Sequence, residues 1–220
     1  MDKSIDQIIE ELRQIVEAET KAGSPLAWFA ALYLKVTMRV KQGILRHEFE
    51  DSSRMEMLDV IFADRYIQAH KAFRNKQPVT ASWRVAFESG SKPLIILQHL
   101  LLGMNAHINL DLGIAAAQTM KGKDLNLLQN DFNAINRILS ELSDGVQLRI
   151  GKGSPLLGML DRLAGSSDTF LVNFSITKAR DGAWKSALEF HKSQSFSSLL
   201  VQRDKTISNL ALGLIYPNSR

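Results

Sequence analysis

The run from Gln98 to Asp111, QHLLLGMNAHINLD, sets two imidazoles and a carboxylate into an otherwise apolar stretch. At about 3.6 residues per turn, the eight-residue step from His99 to His107 drifts about 80° around a helix. The four-residue step from His107 to Asp111 drifts only about 40°, so all three share one side. A buried helix gains nothing from such a side unless its polar groups are paired or hold something. Neutral imidazole and carboxylate together make a mixed nitrogen–oxygen ligand set for zinc, manganese or iron. His107 and Asp111, in an HxxxD spacing, reach one ion from successive turns. His99 stands about 12 Å further along the axis, so it joins them only through a bend near Gly103 or serves a neighbouring role. Asn105 is placed to orient a ligand or a substrate. The alternative is a metal-free hydrogen-bond network of His107, Asn105 and Asp111 joining helices.

A third carboxylate comes from an earlier helix. Asp59 lies in RMEMLDVIFADRYIQAH on the face of Met55, Phe62, Ala63 and Tyr66, and a buried carboxylate calls for a partner. Asp64 ranks lower, as an ordinary ion-pair partner of Arg65 or Lys71. His70 is expected near the surface, and Asp131 is read as a first-turn or solvent-facing residue. Arg180 and Trp184, four residues apart, are expected to pack together as cation and ring. Phosphate-loop, nucleophile-elbow and dinucleotide-binding signatures are absent, as are HExxH and the paired ExxH of di-iron bundles.

Helices must carry these residues, because apolar periodicity is helical along the chain and no alternating strand run appears. A first stripe runs through Ile5, Ile8, Ile9, Leu12, Ile15 and Val16, closed by Gly23-Ser24-Pro25. Further helices are expected at 25–42, from a Ser52 or Ser53 cap through 73, at 78–88 with Trp83 and Phe87 stacked, and at 93–119. The last contains Gly103 and Gly113, positions suited to a close neighbour or to a bound group. Helices at 125–150, 156–163, 168–193 and 196–215 complete the reading. Gly151 to Pro155 is the best linker-like segment, but apolar flanks continue on both sides. The expectation is an all-α fold, one compact domain over 1–220, of about seven to nine helices around a long buried central one.

The 220 residues suffice for a sizeable core, and 45% hydrophobic with 23% charged residues is an ordinary globular balance. A net charge of +4 without a Lys/Arg run gives no specific nucleic-acid signal. With no cysteine, thiolate catalysis and cysteine-ligated zinc are excluded. The amphipathic, acidic N-terminus is unlike a signal peptide, and the apolar run 93–104 is short for a membrane span; the expected location is cytoplasmic.

Several strings, LAWFAALYLKVT, FED, RMEMLDVIFADRY, QHLLLGMNAHINLDL, DFNAIN and ARDGAW, resemble a bacterial family of unknown function numbered 5995. The resemblance implies a shared helical fold and a shared polar site that favours Asp59 over Asp64; it implies no activity. HxxxD on a buried helix is also loosely similar to all-helical zinc-dependent phospholipases C and single-strand nucleases. Those carry more histidines, so a complete trinuclear site is not expected. The functional expectation is a metal-assisted hydrolase of a small ester or phosphoester. Its metal ligands would be His107, Asp111 and Asp59, with His99 and Asn105 as the catalytic residues. The alternative is a non-enzymatic small-molecule-binding protein whose walls come from Trp28, Phe29, Tyr66, Trp83, Phe87 and Trp184.

Overall fold

Several of the helices start where a side chain takes up free N–H groups. Ser4 and Gln7 cap one another's backbone at the start of α1 (Ile5–Lys21), whose apolar stripe is wholly buried. Gly23, with φ of 63°, turns the chain into α2 (Ala27–Leu45), and Ser24 Oγ accepts from the Leu26 N–H. The cap of α3 (Ser52–Arg74) is Asp51, whose carboxylate accepts from the Arg54 N–H; the expected Ser52 or Ser53 already lies within the helix. α4 (Ala81–Glu88) borrows its cap from the far end of the chain. Asp204 accepts from Ala81 N at 2.6 Å and Ser82 N at 2.9 Å.

The computed structural model describes residues 3–143 and 168–215. The central helix α5 (Ile96–Thr119) follows a short 3-10 turn at Ser89–Ser91. After another at Leu125–Leu128 come α6 (Gln129–Ser143), α7 (Asp168–Lys192) and α8 (Phe196–Ile215). The fold is all-α, with eight helices among the described residues and no strand. The linker-like Gly151 to Pro155, the helix expected at 156–163 and the end of that expected at 125–150 lie outside them.

α5 passes through the middle. Taken whole, it is long and apolar enough to cross a membrane, but 83% of its most apolar window is buried inside the protein. Its first half joins Ile8, Leu12, Phe29, Tyr66 and Trp83 in one apolar cluster, and its second half joins Val40, Met55, Phe132 and Ala183 in another. Between the halves, His107–Leu112 is wound as a π-helix, a form that recurs at functional sites. The two glycines mark close approaches. A Cβ on Gly103 would collide with the Phe29 ring, and one on Gly113 would come within 2.8 Å of the Ala183 carbonyl oxygen.

Candidate functional site

The π-segment delivers His107 into a box of aromatic rings. Phe62 stacks on the imidazole at 3.7 Å between centroids, 6° from parallel. Tyr33 meets it edge-on at 4.3 Å, while Phe29, Trp83 and Tyr66 stand at 5.8, 6.0 and 6.1 Å. Burial holds the ring below the ordinary imidazole range, a shift that Asp111 opposes without reversing. Neither ring nitrogen has a hydrogen-bond partner. Asp111 Oδ2 lies 3.6 Å from Nδ1, an ion-pair separation beyond hydrogen-bond length.

Asp111 spends its oxygens elsewhere. Arg65 Nε donates to Oδ1 at 2.7 Å, and Trp83 Nε1 donates to Oδ2 at 2.8 Å. Burial would raise this carboxyl. Arg65 first, then His107 and Trp83, outweigh it and hold Asp111 below the usual carboxylate range. The result is a fixed carboxylate beside a neutral imidazole.

Asp59 lies one turn before Phe62 on the buried face of α3. Its Oδ2 has no hydrogen-bond partner, and no cation stands within ion-pair distance among the described residues. Burial, reinforced by the nearby Glu56 charge, raises its pKa to about 8, so the carboxyl is mostly protonated at neutral pH. Tyr33, on α2, is pushed well above its ordinary range by burial and next by Asp59. The Thr37 hydroxyl, one turn along α2, opposes that rise without closing a well-formed hydrogen bond. Tyr33 Oη, Thr37 Oγ1, Asp59 Oδ2 and both His107 nitrogens are thus buried polar atoms without a hydrogen-bond partner. Interiors rarely leave such atoms unsatisfied.

Two of the sequence-derived positions point elsewhere. His99 is buried with Nδ1 at 3.4 Å from Ser89 Oγ, where burial lowers its pKa against the Leu94 backbone. Asn105 donates to the Ile207 carbonyl at 3.0 Å and accepts from Asn109 at 2.9 Å, facing α8. The structure brings neither together with His107 through a hydrogen bond. Among the described residues, no three His, Asp or Glu side chains converge as metal ligands.

Several charged residues behave differently from expectation. Asp64 pairs with Lys3 at 2.6 Å, Lys71 pairs with Glu11, and Arg65 is left for Asp111. Buried His70 bonds Glu19 at 2.6 Å beside Arg74. Burial acts to raise Glu19, but bonds from His70, Arg74 and Ser24 hold it at about 2. Asp131 is also buried and accepts from the Glu50 and Asp51 N–H groups and from Arg54. Arg180 covers the Phe132 ring at 4.4 Å instead of meeting Trp184 as cation and ring; Trp184 packs against the same Phe132. Arg65, Tyr33, Thr37 and Phe62 are the site residues that the sequence reading missed. Tyr33 and Thr37 lie four apart on α2, but a hydroxyl in a buried run carries no sequence signal of whether it has a partner.

The family model described as "Family of unknown function (DUF5995)" matches residues 5–217. The chain belongs to this family. No curated protein matches the DUF5995 chain, nor does any solved structure. The looser similarity to zinc-dependent phospholipases and nucleases therefore gains no support. The strings that carry the family resemblance contribute Tyr33, Thr37, Asp59, Phe62, Arg65, His107 and Asp111, much of the aromatic box and its polar edge, while Trp83 lies outside them.

Proposed function

We propose that this DUF5995 protein binds a small polar ligand in the box around His107, with no requirement for catalysis. One observation carries the reading: five buried polar atoms without a hydrogen bond fall on only four residues, Thr37, Asp59 and His107 around Tyr33, on α2, α3 and the π-segment. Each such atom costs free energy until something bonds it. Aromatic walls with a few convergent polar groups are the usual make-up of small-molecule sites. With His107 neutral and Asp59 protonated, the cluster offers hydroxyls, a carboxylic acid and an imidazole, chemistry suited to an uncharged polar molecule or to an ion that displaces the Asp59 proton.

The second reading is metal-assisted hydrolysis of a small ester or phosphoester, and the position of Asp111 favours it. A metal-bound imidazole commonly has its other nitrogen oriented by a carboxylate, which is how Asp111 faces Nδ1. His107 Nε2 and Asp59 would then hold a zinc, manganese or iron ion, and that ion would acidify a bound water. Catalytic zinc sites use three protein ligands, whereas this cluster offers two of the ordinary kind, so the fit is incomplete.

Native mass spectrometry of untagged protein, paired with elemental analysis, tests both. A stoichiometric organic adduct that disappears in Asp59→Ala supports the first reading, and a stoichiometric transition metal supports the second. Neither species, together with experimental density showing only water among the four residues, overturns both.

A further inference from the structure

The other side of the π-segment faces a cleft of about 420 Å³, within the size range of small-molecule sites. Its lining includes Asn109 of the π-segment, Glu189 of α7, and Arg203, Thr206, Ile207 and Leu210 of α8. Arg203 is the unusual member. Its Nε donates to the Asn109 carbonyl at 2.9 Å and its Nη2 to the Gly182 carbonyl at 3.2 Å. Both partners are neutral. No carboxylate stands within ion-pair distance of this half-buried guanidinium among the described residues. Glu189 is exposed and near enough to favour the Arg203 cation, yet it forms no ion pair with it. Ile207 is buried, whereas Leu210 is 56% exposed beside the cleft.

Charge, volume and lining fit together. A guanidinium held by two main-chain carbonyls is fixed in direction and keeps further N–H donors for a carboxylate. Glu189 supplies a negative pole, and Ile207 and Leu210 supply apolar surface beside both. We infer that the cleft is a second binding site, for a small zwitterionic amino carboxylate with an apolar side chain: its carboxylate lies on Arg203, its ammonium faces Glu189, and its side chain covers Leu210. The site stands apart from the His107 box and holds whether or not that box binds anything. Its occupant would sit on the residue that grips the π-segment carbonyl of Asn109.

Free leucine is the probe, followed in ¹H–¹⁵N correlation spectra of the full chain, with leucinamide, N-acetylleucine and hexanoate as comparisons. Leucine should shift the amides of Asn109, Thr206 and Ile207. Leucinamide, which lacks the carboxylate, and N-acetylleucine, which lacks the ammonium, should bind at least about tenfold more weakly. Arg203→Met should remove the preference for leucine over leucinamide. Glu189→Gln, on an exposed side chain, should remove the preference for leucine over N-acetylleucine. If Arg203→Met does not fold, the Glu189→Gln comparison decides alone. No leucine shift at about 10 mM, ten times a Kd of about 1 mM, overturns the proposal. So does a leucine preference that survives Glu189→Gln, and so does hexanoate binding as tightly as leucine.

Discussion

Arg65 and Asp111 are 46 positions apart in the chain and meet Nε to Oδ1 at 2.7 Å, tying α3 to the π-segment of α5. Asp111 is 1% exposed, and its second oxygen accepts from Trp83. Removing one partner of such a pair strands the other, at a cost of about 3–5 kcal/mol. Asp111→Ala should lose stability in that range by urea denaturation, and Asp111→Asn should lose less because it preserves an acceptor for Trp83. A loss below about 1 kcal/mol in the alanine variant would show that the pair does not anchor the helix.

His107→Leu is expected to behave oppositely. The imidazole closes no hydrogen bond, and Asp111 keeps Arg65 and Trp83 without it. Replacement therefore strands no partner and removes two unsatisfied nitrogens. The expected loss in chelator-treated protein is below about 1 kcal/mol, against the 1–3 kcal/mol of a stranded buried polar group. A loss above that range, measured beside Asp111→Ala, would mean that the ring is a structural keystone of the box.

Asp59 makes stability depend on pH with a defined sign. Its folded pKa is raised to about 8 from an ordinary 3.8, so the folded state holds a proton that the unfolded chain gives up earlier. The favourable contribution is complete below about pH 4 and is lost progressively as pH rises through about 8. Asp59→Asn has no such loss. Its stability relative to wild type should climb between pH 5 and pH 8 and level off beyond. A difference that stays flat across denaturation series at these values would refute the assignment.

Asp204 is expected to hold α4 from a distance. Asp204→Ala removes the acceptor for the Ala81 and Ser82 N–H groups, and loss of a helix cap costs about 0.5–2 kcal/mol. Because Trp83 follows directly, its fluorescence should change at the same denaturant concentration as global unfolding shifts. Unaltered stability would mean that solvent caps α4 equally well.

Local regularities made much of the fold legible. The α1 stripe, the span of α8 and the stacking of Trp83 on Phe87, at 5.0 Å and 16°, all follow from spacing within one helix. Pairing across helices did not. Arg65 stands next to Asp64 in sequence yet serves Asp111, and His70 finds Glu19 on α1. Asp131, placed by its helix position toward solvent, is drawn inward by two N–H groups preceding α3. For the site, His107, Asp111 and Asp59 stood out as polar residues in apolar runs. Tyr33 and Thr37 did not, since a hydroxyl on a buried helix face reads the same with or without a partner. The π-winding left no mark in the residue pattern.

That winding also sets which way the two glycines of α5 look. At about 100° per residue, ten uninterrupted α-helical steps from Gly103 to Gly113 would leave them roughly 80° apart around the axis. If the wider turns absorb one residue, nine effective steps place them about 180° apart, on opposite flanks. Gly103 accordingly abuts Phe29 of α2, while Gly113 abuts the α7 backbone at Ala183. The central helix is thus pinched from two sides at once, and absorbing the extra residue in the π-turn is what keeps that clamp in register. Deleting Ile108 would leave nine ordinary α-helical steps between the glycines, again about 180°, so both close approaches would survive while the π-wound turn that delivers His107 would be lost.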